Sequence, residues 1–208
     1  MNARTTIRRL AVVAALAGCA SAGCASAGSA PAGSPAAPAA DDARPTVVIL
    51  VRHAEKAATA GNDPDLTPIG RRRADDLALA LRNARVDAVV VTERRRTHQT
   101  AAPIAGPRGL VPDTVALGAT VAEHASAVAR RIREHHAGET ILVVGHSNTI
   151  PPIISALGGP AFSEICDPIH SGLYVLILRR QGPPQLIESR YGAPDPASAD
   201  SCPGMQAR

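Results

Sequence analysis

The chain has 208 residues and a formal net charge of +4, with no Trp, one Phe and two Tyr. Three of its 22 basic residues lie in an N-terminal segment without acidic residues, which leaves 19 basic against 18 acidic residues in the rest. A region so close to neutrality lacks the basic surface expected of a nucleic-acid-binding protein. Because aromatic residues are so scarce, the core must be built from Ala, Val, Leu and Ile.

The first 18 residues have the features of an export signal. Arg4, Arg8 and Arg9 precede an apolar run over residues 10–17, and small residues follow it. This order is typical of a cleaved signal, and the run is shorter than the ~20 residues that a transmembrane helix needs. An ordinary secretory signal, cut at a nearby Ala-Xaa-Ala site, fits the same pattern.

The end of this signal carries a more specific motif. Residues 16–19, Leu-Ala-Gly-Cys, resemble the lipobox of bacterial lipoproteins. The resemblance implies that Cys19 receives a lipid and becomes the new N-terminus. The chain is then expected to be exported and lipid-anchored to the bacterial cell envelope, on a periplasmic or outer face.

The remaining chain divides by composition into three parts. Residues 19–44 are rich in Ala, Ser, Gly and Pro and predict a flexible tether, because they bury too little apolar surface to offset the entropy of ordering. Residues 45–192 predict a single domain, and residues 193–208 a C-terminal tail. Outside the cytoplasm Cys166 and Cys202 could form a disulfide between domain and tail. Their spacing does not resemble a zinc site.

Strands alternate with helices along the domain. The apolar run 47–51 is typical of a strand buried on both faces, and Thr67 with Pro68 offers an N-cap and a first-turn proline for the next helix. Later strands are predicted at 88–91, 141–144, 173–178 and 185–191, and later helices at 95–103, 121–138 and 149–157. The alternation predicts a three-layer α/β/α sandwich with a mainly parallel sheet.

Polar clusters follow three of the predicted strands, at residues 52–56, 92–100 and 145–149. The carboxyl ends of parallel strands meet at one edge of a sheet, where such folds bind their ligands. We therefore expect one pocket with at least two histidines and two arginines. Guanidinium groups match phosphate oxygens in pairs, and a neutral imidazole can attack phosphorus, so the pocket predicts phosphoryl chemistry.

Four motifs in this order resemble those of the histidine phosphatase superfamily, also called phosphoglycerate mutase-like. The matching stretches are Arg52-His53, with Ala54 where Gly is usual, and residues 66–70, 96–101 and 145–147. The resemblance covers most of residues 45–157, and the short chain with its lipobox resembles a short lipoprotein member.

The resemblance implies a role for each matched residue. His53 would be the nucleophile, and Arg52, Arg96 and His146 would bind the transferred phosphate. It also implies a six-stranded, largely parallel sheet and a metal-independent phosphatase of the histidine acid type, with no cofactor and a small phosphorylated substrate.

Further candidates lie outside the clearest motifs. Lys56 is the only lysine of the chain, so it is either a point charge for phosphate or substrate, or present by chance. Asn148 could donate a further hydrogen bond to the substrate. Glu123, ahead of Asp113, is the best-placed candidate for the general acid that protonates the leaving oxygen. If no such acid exists, the substrate should have a good leaving group.

The leading functional hypothesis is hydrolysis of phosphomonoesters through a phosphohistidine on His53. Two alternatives stay open: a phosphatase for phosphohistidine or for phosphorylated envelope sugars, and a non-catalytic lipoprotein that binds phosphate or glycans. Specificity is expected from residues 55–65, 106–122 and 160–171, none of which carries a motif that identifies the substrate.

Overall fold

The computed structural model describes residues 44–58 and 61–198. The predicted signal, Cys19, nearly all of the predicted tether and Cys202 lie outside these residues, so the lipid anchor and the disulfide remain predictions. Within the described ranges, no helix has the length and apolar character needed to cross a bilayer.

The described domain contains six strands and four α-helices. The strands are β1 (Thr46–Arg52), β2 (Ala88–Val91), β3 (Asp113–Thr114), β4 (Thr140–Gly145), β5 (Gly172–Leu178) and β6 (Gln185–Arg190). The helices are α1 (Pro68–Ala80), α2 (Arg95–Ala105), α3 (Val121–His135) and α4 (Ile150–Ala156), with a 3₁₀ turn (Gly106–Arg108) directly after α2.

The strands form one sheet in the order β3-β2-β4-β1-β5-β6. The first four of these are parallel, whereas β5 is antiparallel to β1 and β6 is antiparallel to β5. The α/β class and the six strands are confirmed, but the prediction of a mainly parallel sheet is wrong because the sheet is mixed. Residues 157–171 contain no helix and lead the chain to the carboxyl edge, where Leu173 pairs with Val51. From there β5 can only run back towards the opposite edge.

Alternate residues of β1 pack into two cores on opposite faces of the sheet. Val48 and Leu50 belong to a cluster with residues of α3 and α4, and Ile49 and Val51 to a cluster with residues of α1 and α2. This period of two is the geometry of a strand buried on both faces. The helices therefore cover both faces of the sheet, which gives the three layers that the sequence predicts.

The described chain continues beyond residue 192, where the sequence places the start of the tail. The Asp195 carboxylate is only 4% exposed and accepts hydrogen bonds from the backbone N–H groups of His170 and Ser171, from the Ser171 hydroxyl and from Arg190. The Arg73 guanidinium also donates to the carbonyl of Ala193. Asp195 is thus attached to the loop that precedes β5, and Ala193 is attached to helix α1.

Candidate active site

A cavity of about 530 Å³ opens at the carboxyl edge of the parallel strands, where the three polar clusters meet. Its lining includes all but one of the residues to which the sequence assigns a catalytic or substrate-binding role: Arg52, His53, Lys56, Arg96, His146 and Asn148. These residues are up to 96 positions apart in the chain, between Arg52 and Asn148. The topology of the sheet brings them together, as the position of each cluster after a strand predicts.

His53 follows the last residue of β1 and is almost completely buried. Its Nδ1 lies 2.8 Å from the carbonyl oxygen of Ala54. A carbonyl can only accept a hydrogen bond, so Nδ1 carries the proton and donates. Burial, followed by the nearby His146 and the positive charge of Arg96, lowers the pKa of His53 to about 2, against the effect of this hydrogen bond. His53 is therefore neutral, with the lone pair on Nε2.

The ring of His146 lies close to that of His53, with 5.2 Å between the ring centroids. The Nδ1 atom of His146 is 3.3 Å from Nη2 of Arg96, which can only donate, so Nδ1 accepts. Nε2 then carries the proton and donates to Oγ1 of Thr92, 3.1 Å away. Burial first, and then the charge of Arg96, lowers the pKa of His146 to about 3. Both imidazoles of the site are thus neutral.

The positive charge of the cavity comes from the guanidinium groups of Arg52, Arg94 and Arg96 and from Lys56. The side chain of Arg96 is 14% exposed and makes only a distant ion pair with Asp63, at 3.7 Å. Arg52 is 5% exposed, and its Nη1 donates to the carbonyls of Cys166, Asp167 and Ile169. The Nε atoms of Arg52 and Arg96 are buried and have no hydrogen-bond partner among the described residues. A cavity lined by guanidinium groups favours an anionic ligand.

Helix α2 holds the loop after His53 through side-chain hydrogen bonds of Gln99 and Thr100. The hydroxyl of Thr100 donates to the carbonyl of Arg96 and accepts from the backbone N–H of Ala54, at 2.7 and 3.0 Å. Gln99 accepts from the backbone N–H of Leu66 and donates to the carboxylate of Asp65. The motif at residues 96–101 therefore holds the loop after His53 against the helix that carries Arg96.

The loop after His53 is also fixed by the start of α1. Thr67 caps this helix by accepting from the backbone N–H of Gly70, at 2.9 Å. Gly70 lies against the backbone of Glu55, and a Cβ atom there would collide with the Glu55 carbonyl. This contact gives a physical reason for the glycine at the end of the motif at residues 66–70.

Glu123, the predicted general acid, does not line the cavity. It is the third residue of α3, where its carboxylate accepts from the backbone N–H of Thr120 while the Thr120 hydroxyl accepts from the N–H of Glu123. This is a capping box, which accounts for the carboxylate without a catalytic role. Asp113 pairs with Arg131, at 3.1 Å. A role for Glu123 in proton transfer remains a prediction.

Several residues around the cavity carry no signal in the sequence. The ring centroid of His170 lies 6.2 Å from that of His53, and burial, with the charge of Arg52, lowers its pKa. Glu164 and Asp167 line the cavity, where Glu164 accepts from the Ser147 hydroxyl and Asp167 pairs with Arg52. All three belong to residues 160–171, where the sequence predicts specificity but no motif indicates which side chains face the ligand. Among the described residues, no group of His, Cys, Asp or Glu could hold a metal ion.

The fold and the cavity define an α/β protein in which two neutral imidazoles share a cavity with Arg52, Arg94 and Arg96. Residues 48–117 match the family model described as histidine phosphatase superfamily (branch 1). The match confirms the resemblance to this superfamily that the sequence motifs indicate. No curated protein matches the chain.

Solved structures of the same fold come from several organisms. A protein from Nakamurella multipartitia, provisionally named phosphohistidine phosphatase SixA, is 23% identical, with a TM-score of 0.51 over 72% of this chain and 98% of its own. Phosphoserine phosphatase from Entamoeba histolytica, in complex with 3-phosphoglyceric acid, is 18% identical, with a TM-score of 0.50 over 71% of this chain and 98% of its own. A structure described as mycobacterial hydrolase 2 is 16% identical, with a TM-score of 0.54, over 76% of this chain and 94% of its own. At these identities the likeness concerns the fold alone.

Proposed function

We propose that this protein is a phosphatase that hydrolyses phosphomonoesters through a covalent phosphohistidine on His53. The observation that carries the proposal is the hydrogen bond from Nδ1 of His53 to the Ala54 carbonyl. It leaves the lone pair on Nε2 of a neutral imidazole, in a cavity that also contains Arg52, Arg96 and His146. A nucleophile, anion-binding groups and a neutral second imidazole are the parts that this reaction requires.

The reaction would take place in two displacements at phosphorus. In the first, Nε2 of His53 forms a bond to phosphorus while the bond to the ester oxygen breaks, and the departing alcohol takes up a proton. In the second, a water molecule forms the new P–O bond, the P–N bond breaks, and inorganic phosphate leaves with His53 restored. Charge on the equatorial oxygens of both transition states would be stabilised by the guanidinium groups of Arg52 and Arg96.

The substrate would be a small molecule, because the cavity of about 530 Å³ is of ordinary ligand size. Lys56 and Asn148 line this cavity with exposed side chains, so they are available to the part of the substrate beyond the phosphate. Glu164 and Asp167 add carboxylates to the same wall. A wall with charges of both signs and amide groups fits a polar leaving group better than an apolar one.

The test is hydrolysis of p-nitrophenyl phosphate by the full chain carrying Cys19→Ser, compared with the same chain carrying His53→Ala. Loss of the nucleophile should lower kcat by about 10³-fold or more. His135→Ala is the matched control, because this imidazole is exposed on α3 and more than half of its surface is free. Equal rates for the His53 variant and its parent would refute the proposal.

A second measurement separates covalent from direct hydrolysis. Brief reaction with a radiolabelled phosphomonoester, followed by denaturation, should leave label on the protein that is lost in acid and retained in base, as a phosphoramidate behaves. The label should be absent in the His53→Ala chain. Turnover without any trapped label, at several quench times, would favour a direct attack of water on phosphorus.

A further inference from the structure

The loop between β3 and α3, residues 115–120, forms one wall of the candidate active site. Residues 117–121 line the cavity as a continuous stretch, and residues 118–120 are exposed. β3 has only two residues and lies at the edge of the sheet, next to β2. The strand therefore fixes little of the loop that follows it, and the position of the loop depends on side chains from other elements.

Glu93 holds this loop on the side of the motif that contains Arg96. Its Oε2 accepts a hydrogen bond from the backbone N–H of Leu117, at 3.1 Å. Its Oε1 lies 3.6 Å from Nε of Arg94, which lines the same cavity. One carboxylate thus connects the loop to the segment that supplies cationic groups to the cavity.

Glu123 holds the loop on the side of helix α3. Its Oε2 accepts from the backbone N–H groups of Ala119 and Thr120, at 3.2 Å each. Together, Glu93 and Glu123 bind three of the N–H groups of the loop. Because both carboxylates are exposed, water competes for these hydrogen bonds and each of them contributes little by itself.

His124 is the buried anchor of the loop. It is 2% exposed and lies on the buried face of α3, with Ala125 and Val128. A polar ring in such a position is costly unless it is hydrogen-bonded. Its Nδ1 is 2.9 Å from the carbonyl oxygen of Ala116, and a carbonyl can only accept, so Nδ1 donates. His124 does not line the candidate active site and the proposed reaction does not use it, so holding the loop is the role that its contacts indicate.

Charge is distributed unevenly around the cavity. Residues 117–121 are Leu, Gly, Ala, Thr and Val, so this wall carries no charged side chain. The cationic residues of the lining lie at the end of β1 and in the segments that follow β1 and β2, namely Arg52, Lys56, Arg94 and Arg96. A phosphate binds where the guanidinium groups lie. The uncharged wall is then left for the part of the substrate beyond the phosphate.

We propose that this loop contacts the leaving group of the substrate and that His124 is the positioning residue that holds the loop in place. His124 acts on the affinity for the ester through the loop, without touching the phosphate. This role depends on the proposed function, because only a phosphomonoester brings a leaving group into the cavity. A defect at His124 therefore weakens binding of the ester and spares binding of inorganic phosphate.

The first test compares His124→Leu with His124→Asn in the full chain carrying Cys19→Ser. Leucine removes the donor to the Ala116 carbonyl, so KM for p-nitrophenyl phosphate should rise about fivefold, while the inhibition constant of inorganic phosphate should change by less than about twofold. Asparagine carries an amide N–H at the position of Nδ1 and should restore most of the affinity. His135→Leu, at an imidazole exposed on the same helix, is the matched control and should leave both constants unchanged. An equal rise in both constants, or equal defects in the Leu and Asn variants, would overturn the role of His124.

The second test measures whether the loop contacts the leaving group. Because the sequence contains no Trp, Leu117→Trp introduces a single fluorescent reporter into the wall, in a chain that also carries Cys19→Ser and His53→Ala to slow turnover. The nitroaromatic group of p-nitrophenyl phosphate should quench this reporter at close range, and excess inorganic phosphate should reverse the quenching by displacing the ester. Val111→Trp, which replaces a side chain that is 89% exposed and does not line the cavity, should not be quenched.

The results distinguish failure of the loop assignment from failure of the proposed function. Hydrolysis by the parent chain without quenching of Leu117→Trp, or equal quenching of both reporters, would overturn the loop assignment and leave the phosphatase intact. Quenching of Leu117→Trp alone, without hydrolysis by the parent chain, would support the contact and refute the phosphatase. Circular dichroism checks the fold of each variant, and the reporter experiment stands independently if His124→Leu unfolds the domain.

Discussion

At the scale of single residues, the protonation state of each imidazole follows from one neighbour. The Ala54 carbonyl fixes the proton of His53 on Nδ1, whereas the Arg96 guanidinium fixes the lone pair of His146 on Nδ1. The two rings therefore use opposite tautomers within one cavity. Because burial and the arginines lower both pKa values far below 6.5, the nucleophile stays in its reactive form under acidic as well as neutral conditions.

Thr92 is the residue on which the orientation of His146 depends. Its hydroxyl is buried, accepts from Nε2 of His146 and lies 3.2 Å from the hydroxyl of Thr97. Thr92→Val keeps the shape but leaves the imidazole N–H without a partner, which costs about 1–3 kcal/mol when the group is buried. We expect kcat/KM for p-nitrophenyl phosphate to fall by about 10-fold or more, with weaker inhibition by inorganic phosphate.

Two comparisons separate positioning from a general loss of stability. Thr92→Ser retains the hydroxyl and should restore most of the activity, although it removes a methyl group from the core. Thr114→Val, at an exposed residue of β3, should leave the kinetics unchanged. If Thr92→Ser were as impaired as Thr92→Val, the effect would come from packing and not from the hydrogen bond to His146.

At the scale of secondary-structure elements, the sequence predicts what strand periodicity and position determine. The apolar runs of β1, β2 and β4 have clear boundaries, and the clusters after them meet because parallel strands end at one edge. The direction of β5 could not be predicted, since an apolar run is compatible with either orientation in a sheet. β3 has only two residues, too few for any period, and the contribution of His170 depends on the path of a loop without a motif.

Helix α3 gives a direct test of the predicted general acid. Glu123→Gln removes the acid but can preserve the capping box, because a glutamine amide also accepts from the Thr120 N–H. Glu123→Ala removes both the carboxylic acid and the capping box. We expect Glu123→Gln to keep kcat within about twofold, and Glu123→Ala to lower the free energy of unfolding by about 1 kcal/mol.

Activity measurements on three leaving groups complete this test. Without a dedicated acid, the rate should decline steeply from p-nitrophenyl phosphate through phenyl phosphate to an alkyl phosphate, as the departing oxygen becomes more basic. If Glu123→Gln selectively slowed the alkyl phosphate by tenfold or more, then Glu123 would be the acid despite its position in the capping box.

At the scale of the whole molecule, the sheet separates two chemically different edges. The carboxyl edge has the polar cavity with His53, and the amino edge has a second cavity whose lining includes Arg44, Arg133, Arg179 and Arg180. The Asp195 carboxylate fastens the end of the described chain to the residues before β5, next to the loop that Arg52 also holds. The loop before β5 is thus held on one side by Arg52, next to the nucleophile, and on the other side by Asp195 near the end of the described chain.

The neutral buried histidines also predict how the stability of the whole domain depends on pH. In the unfolded chain they titrate near 6.5, but in the folded domain the pKa of His53 is about 2 and that of His146 about 3. At pH values between the folded-state and the unfolded-state pKa, the unfolded chain binds more protons than the folded domain. Acidification therefore favours unfolding. Each histidine should lower the free energy of unfolding by about 1.4 kcal/mol per pH unit well below pH 6.5.

Urea unfolding measures the contribution of His53 to this pH dependence. The full chain carrying Cys19→Ser is compared with the same chain carrying His53→Gln, at a series of pH values between 6.5 and the acid limit of folding. The His53→Gln chain loses the titration of His53, so its stability should decline less steeply with acidification, by about 1.4 kcal/mol per pH unit. His135→Gln removes an exposed imidazole and should leave the slope unchanged. Parallel curves for His53→Gln and its parent would mean that His53 is protonated as readily in the folded domain as in the unfolded chain, and the neutral nucleophile on which the proposed reaction depends would be excluded.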